Sequence, residues 1–127
     1  MLADSRLTSD IPVSDLTVAR DFYGGKLGLK LIKEVEGNEL RFRVGDAILA
    51  TYITQSAGKA EHTLASFRVT NLDAAMDELR AVGVEFEDYD LPGFRTVDGV
   101  VDWGHTREAW FKDPDGNVLS VGQLIEP

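Results

Sequence analysis

Polar and apolar residues alternate along Leu7-Thr8-Ser9-Asp10-Ile11-Pro12-Val13, the pattern of a strand with one face on a core. Leu7, Ile11 and Val13 fall on one side, Thr8, Asp10 and Pro12 on the other. Pro12 has no N–H to give a ladder, so it belongs near an edge or a strand end. Ser14-Asp15 then caps a helix whose apolar positions are Leu16, Ala19, Phe22 and Tyr23. Gly24-Gly25 loosens its end. Strands follow at Lys30 to Val35, at Leu40 to Val44 and, across the Gly45-Asp46 turn, at Ala47 to Ile53.

After a small, polar linker from Gln55 to Ala60, the pattern restarts. His62 to Val69 alternates. Asn71 caps a helix with Leu72, Ala75, Met76, Leu79 and Val82 on one stripe, and Gly83 stands where a C-terminal cap glycine belongs. Val84-Glu85-Phe86 predicts the next strand. The chain closes on a hairpin: Trp110-Phe111 leads in, Val118-Leu119 leads out, and Asp113-Pro114-Asp115-Gly116-Asn117 makes the turn. Gly116 accepts a positive φ, and Asp113 and Asp115 can bond back to nearby amides.

The halves overlay. Val13-Ser14-Asp15-Leu16 with Ala19 matches Val69-Thr70-Asn71-Leu72 with Ala75, and Leu27-Gly28-Leu29 matches Val82-Gly83-Val84. The second copy alone carries an insertion, Asp88 to Thr106, with Tyr89, Pro92, Phe94, Trp103 and His105 among glycines. A segment of that length is either a surface loop pinned by its aromatics or a ligand lid.

Composition narrows the picture. The chain has 127 residues, room for one domain with a real core. Its formal net charge is -9, and its basic residues are scattered, so nucleic acid and anionic membranes are unfavourable partners. There are no cysteines, which removes disulfides, thiolate metal sites and a cysteine nucleophile. Neither a signal peptide nor a membrane-spanning run is recognisable, and the expectation is a soluble cytoplasmic protein.

The repeated strand-helix-three-strand order, with Asp15-Leu16 and Phe22-Tyr23 early and Phe111-Lys112-Asp113-Pro114-Asp115-Gly116-Asn117 late, resembles the vicinal oxygen chelate superfamily. That superfamily includes glyoxalase I, bleomycin-resistance proteins, fosfomycin-resistance thiol transferases and extradiol dioxygenases. The resemblance implies an α+β fold in which two paired βαβββ modules, here about 7–54 and 62–125 of a single domain spanning 1–127, form a curved, cup-shaped mixed sheet with helices outside. It also implies a ligand in the cup and a homodimer.

The family's enzymes hold a divalent metal through His, Gln or Glu at four strand positions, which correspond here to Thr8, Ala50, Leu64 and Ser120. Hydrocarbon side chains and neutral hydroxyls are poor ligands for such a cation. The standard metal site is therefore expected to be absent, as in the bleomycin-resistance type of member. A displaced set of Asp10, His62, Glu108 and His105 is the alternative, and it would make the protein a metal-dependent lyase, isomerase or dioxygenase.

Strand parity names the cup lining. Thr8, Arg41, Ala50, Tyr52, Leu64, Ser66, Trp110 and Ser120 face inwards, with Trp103 contributed by the insertion. Arg43, Arg68, His62 and Glu108 share that parity. Aromatic rings among a few polar groups suit a small organic molecule. The leading expectation is thus metal-independent, cofactor-free binding of such a molecule, with sequestration of a toxic compound as one use. Whether the chain catalyses anything stays open. A structural or regulatory role through protein contacts is the third reading.

Overall fold

The computed structural model describes Met1 to Ile125 and has an α+β architecture built on two four-stranded mixed sheets. Two compact units emerge. One comprises Met1–Ala60 together with Pro114–Asn117; the other comprises Glu61–Asp113 and the chain from Val118 onward.

In the first unit the strands are β1 (Thr8–Val13), β2 (Lys30–Val35), β3 (Glu39–Val44) and β4 (Ala47–Ile53), in the sheet order β1-β4-β3-β2. Only β1 with β4 is parallel. Ile11, Val13, Leu40, Phe42 and Leu49 are buried on one face, as their alternation demands. Against that face packs α1 (Leu16–Ala19), which Asp15 caps by accepting from the amides of Thr17 and Val18 at 2.8 and 3.1 Å.

The helix then widens into a π-helical stretch, Arg20–Lys26, closed by an i→i+5 bond from Leu27 N–H to the Phe22 carbonyl at 2.8 Å. Within it two successive residues, Phe22 and Tyr23, are both buried. Their rings meet edge to face at 5.1 Å, and Tyr23 continues to Phe42 at 6.1 Å.

The sequence expectation of a strand from Leu7 with its side chain on the core is corrected. Pairing starts at Thr8↔Ile48, and Leu7, before the ladder, is 88% exposed. Ile53, which strand alternation puts on the core face with the buried Leu49, is also exposed, at the far end of β4.

The turn Pro114–Asn117 belongs to this first unit although it joins two strands of the other sheet. Asp115 takes the Ser14 hydroxyl at 2.5 Å and its amide at 3.1 Å. The fully buried Asn117 donates to the Pro12 carbonyl at 2.7 Å and accepts from the Gly58 amide at 3.1 Å. Gly58 has φ +73°, and a Cβ there would stand 1.9 Å from the Asp115 carbonyl oxygen, so only glycine fits.

The second unit contains β5 (Thr63–Arg68), α2 (Leu72–Ala81), β6 (Asp90–Leu91), β7 (Phe94–Arg95), β8 (Val100–Asp102), β9 (Thr106–Lys112) and β10 (Val118–Leu124). Its sheet runs β5-β10-β9-β8, with β5 parallel to β10. Asn71 caps α2 through the Ala74 amide at 3.0 Å, and Gln123 of β10 accepts from the Leu72 amide at 2.8 Å. At the other end Gly83, φ +94°, completes a Schellman motif through Gly83 N–H to Arg80 and Val84 N–H to Leu79, each 3.0 Å. Val82 lies beyond the helix and is exposed, contrary to its place on the predicted stripe.

The larger correction concerns the edge strand. Val84-Glu85-Phe86 forms no strand; only Phe86 bridges to Phe111. The fourth strand is β8, drawn from the insertion, where Asp98-Gly99 makes a two-residue turn with reciprocal bonds between Val97 and Val100.

Candidate functional site

In the second unit, Leu119, Val121 and Gln123 of β10 and Arg107, Ala109 and Phe111 of β9 share the face that meets α2; Gln123 bonds the Leu72 amide and Arg107 pairs with Asp73 at 3.1 Å. The opposite face follows from the unbroken β9–β10 register: Lys112↔Val118, Trp110↔Ser120 and Glu108↔Gly122. Parity had put Trp110, Ser120, Val118 and Glu108 on one side, and the register has them there.

The insertion folds onto this second face. Its hairpin β6–β7 is fixed by bonds between Tyr89 and Thr96: the Tyr89 amide donates to the Thr96 hydroxyl at 2.8 Å, and the Thr96 amide to the Tyr89 carbonyl at 2.9 Å. Four rings then converge. Phe94 and Trp110 lie 5.0 Å apart, Tyr89 and Phe94 5.3 Å, Phe94 and Trp103 5.9 Å, and Trp110 stands 6.0 Å from both Tyr89 and Trp103. Most of these contacts are edge-to-face or tilted, which the ring quadrupoles favour. Val101 and Val118 complete the cluster.

Within the cluster Trp110 is buried, and its indole N–H donates to the Thr63 hydroxyl at 3.1 Å. Trp103 is the outermost large ring, 42% exposed. Burial, and then the Glu87 carboxylate, raise the Tyr89 phenol above its ordinary pKa, so it is a neutral hydroxyl at pH 7.

Beside the rings, Ser120 is fully buried and its hydroxyl donates to that of Ser66 at 2.6 Å. Ser66 is opposite Ser120 in the β5–β10 register. A shift in that register, Val118↔Thr63 followed by Leu119↔Ala65, falls at Leu64, which is half-buried. The bulge breaks simple alternation along β5. It brings Thr63, which parity assigned to the other face, to Trp110.

In the first unit, Thr8, Asp10 and Pro12 lie opposite Ile48, Ala50 and Tyr52 on the face away from the helix, with Arg43, Arg41 and Glu39 on the neighbouring strand. Arg41 is committed to Glu39 at 2.6 Å. Ala50 is buried, Thr8 is half-buried, and Tyr52 is 37% exposed.

The four positions at which the family's enzymes place metal ligands thus hold two hydroxyls, one of them engaged with Ser66, and two hydrocarbon side chains. This donor set does not fit a divalent cation. Among the described residues no group of three His, Cys, Asp or Glu could hold a metal ion. Asp10 belongs to the first unit; His62 and His105, both exposed, belong to the second with Glu108.

The helix side of the second unit has a cavity of about 560 Å3 lined by Asp73, Arg80, Arg95, Asp98, Asp102 and Arg107 among others. Its chemistry is largely spent internally. Arg107 binds Asp73, and Arg80 donates to the Asp98 carbonyl at 3.1 Å while lying over the Phe86 ring. The ring-lined face is the better candidate site.

Sequence reasoning did not select Tyr89, Phe94, Thr63 or Val101 as site residues. Tyr89 and Phe94 flank the Pro92-Gly93 turn, and that turn signal could have located the small hairpin which delivers them. Thr63 was hidden by the bulge.

A protein-family model described as the Glyoxalase/Bleomycin resistance protein/Dioxygenase superfamily matches residues 6–121. Among solved structures, a lactoylglutathione lyase from Agrobacterium tumefaciens is similar with a TM-score of 0.72 at 18% identity, covering 94% of this chain and 93% of that one. A glyoxalase family protein from Enterococcus faecalis gives 0.72 at 21% identity, covering 96% and 99%. TnmS3, an antibiotic binding protein from Streptomyces sp. CB03234, gives 0.70 at 24% identity and 98% coverage of both chains. No curated protein matches in sequence. No helix among the described residues is long and apolar enough to cross a membrane.

Proposed function

Because the chain belongs to the glyoxalase/bleomycin resistance protein/dioxygenase superfamily, we propose that it binds a small organic molecule on the ring-lined face of its second sheet, without the divalent metal that the superfamily's enzymes use. The observation that carries this reading is the cluster of Tyr89, Phe94, Trp103 and Trp110 beside the Ser66–Ser120 hydroxyl pair. Its accessible part is the exposed Trp103, the half-buried Tyr89 and Phe94, and Ser66, whose orientation the buried Ser120 fixes: ring surface beside a polar group, the usual makeup of a small-molecule site. The poor donor set at Thr8, Ala50, Leu64 and Ser120 supports the metal-free part. The antibiotic-binding neighbour shows that a fold of this kind serves as a binder in another protein.

The test uses chelator-treated protein. Aromatic compounds are titrated in while tryptophan fluorescence and the midpoint of thermal unfolding are followed, with and without added Mn, Ni, Zn or Fe. Both tryptophans of the chain lie in the cluster, so the emission reports on this face directly. Saturable quenching together with a raised midpoint in metal-free protein is the expected result. Binding that depends on added metal would overturn the reading.

A further inference from the structure

The face that carries the rings has a second row of groups. Trp110, Ser120 and Ser66 stand side by side across β9, β10 and β5, and the next row on the same face is Val101, Glu108, Gly122 and Arg68. Glu108 and Arg68 are thus opposite charges with one glycine between them. The half-buried Glu108 lies against that glycine: its Cγ would be 3.4 Å from a Cβ placed on Gly122. Among the described residues, neither charged side chain has a partner. The ion pairs among the described residues are Arg20–Glu34, Arg41–Glu39, Arg107–Asp73 and Lys112–Glu87, and no hydrogen bond among them engages the side chain of Glu108 or Arg68.

We infer that this face selects a zwitterion: an aromatic ring carrying both an ammonium and a carboxylate group. The inference rests on the small-molecule-binding reading above and names the ligand class for that site. Two strand spacings separate the backbones of Glu108 and Arg68 by about 10 Å, the Glu108 stem covers Gly122, and the two charged heads, farther apart than an ion pair, can receive an ammonium on the carboxylate and a carboxylate on the guanidinium. Arg68 offers a planar fork suited to that carboxylate. Trp110 lies two residues along β9 from Glu108, about 7 Å away, so one small molecule reaches both the rings and the charged row. The field of a chain with net charge -9 disfavours a purely anionic ligand, and Arg68 opposes a purely cationic one beside it. A molecule bearing both charges avoids both penalties.

Four probes that share one fluorescence-quenching ring separate the possibilities: 4-nitrophenylalanine as the zwitterion, 4-nitrophenethylamine as the cation, 3-(4-nitrophenyl)propionate as the anion and 4-nitrobenzyl alcohol as the neutral compound. Quenching of tryptophan emission in the full chain gives each Kd. The zwitterion is expected to bind at least about tenfold more tightly than the others, with Glu108→Gln and Arg68→Gln each removing that advantage. Circular dichroism and thermal unfolding confirm that both variants keep the fold. If all four probes bind alike, or if the preference survives both substitutions, the zwitterion inference is overturned while small-molecule binding stands. If none quenches saturably, the binding reading itself fails.

Discussion

In the first unit, the sheet face away from the helix carries Thr8, Asp10, Ala50, an arginine already held by Glu39, and a Tyr52 that is 37% exposed. In the second, the corresponding face carries Ser120 bonded to Ser66, a buried Trp110, and three more rings packed edge-on or tilted against it. The strand plan is the same in both, with a parallel pair joined to two antiparallel neighbours. The difference arises in the connection after the helix. In the first unit that connection is a short turn at Gly28 into β2. In the second it runs through the insertion, which supplies both the edge strand β8 and the rings of Tyr89, Phe94 and Trp103. The same strand plan thus carries a ring-covered face where one connection is long and a barer face where it is short.

The sharpest way to break this comparison is to remove the largest side chain from each face. Trp110→Ala is expected to cost about 3–5 kcal/mol, because a buried indole, its bond to Thr63 and its packing on three rings are lost together. Tyr52→Ala should cost less than about 1 kcal/mol, since that ring is over a third exposed. Urea unfolding of both variants measures the gap, and equal losses would mean that the second face is no better packed than the first.

Next in size is the turn that the chain places in the first unit. Asn117→Ala strands the Pro12 carbonyl and the Gly58 amide, and should destabilise by about 2–4 kcal/mol in the same assay. A loss under about 0.5 kcal/mol would show that water replaces the amide there. A smaller effect of opposite sign is expected at Thr51. Its hydroxyl is fully buried on the helix side of β4 with no partner among the described residues, whereas Val121, which follows Ser120 as Thr51 follows Ala50, has no hydroxyl to satisfy. Thr51→Val makes the first unit like the second and should stabilise it by about 1 kcal/mol.

How much of this could be read from residues alone depended on whether the signal was local. Alternation located the long strands. Asp15, Asn71 and Gly83 marked the helix ends because caps are short-range chemistry. Trp110 and Ser120 fell on one face because the β9–β10 ladder is regular. The misses share a different cause. Val84 to Phe86 has the residue types of a strand, but the edge position is taken by Val100–Asp102, whose partner is chosen by tertiary pairing. The bulge at Leu64 shifts which β5 residue meets Trp110, and a bulge leaves no reliable mark in composition. The π-helical turn at Arg20–Lys26 reads as ordinary helix in sequence because its Phe22 and Tyr23 fit either winding.

The smallest expected effect separates the ring cluster from the remainder of the chain by pH. Burial, followed by the charge on Glu87, raises the Tyr89 phenol's pKa, with Lys112 acting weakly in the opposite sense. A raised folded-state pKa means that the native state holds this proton when the unfolded chain has released it. The associated stability is therefore complete below the ordinary phenol value of about 10 and is lost as pH rises through the folded value. Since the Tyr89 ring stands edge-on to Trp110 at 6.0 Å, its ionisation should also dim the tryptophan emission. The expected record is the difference between the chain and Tyr89→Phe: of the absorbance of three tyrosines, the substitution removes one phenolate step, displaced above the ordinary phenol value, together with the fluorescence loss that accompanies it. If the step that Tyr89→Phe removes lies at or below the ordinary phenol value, the insertion does not bury Tyr89 against the second sheet, and the contrast between the two faces loses one of its rings.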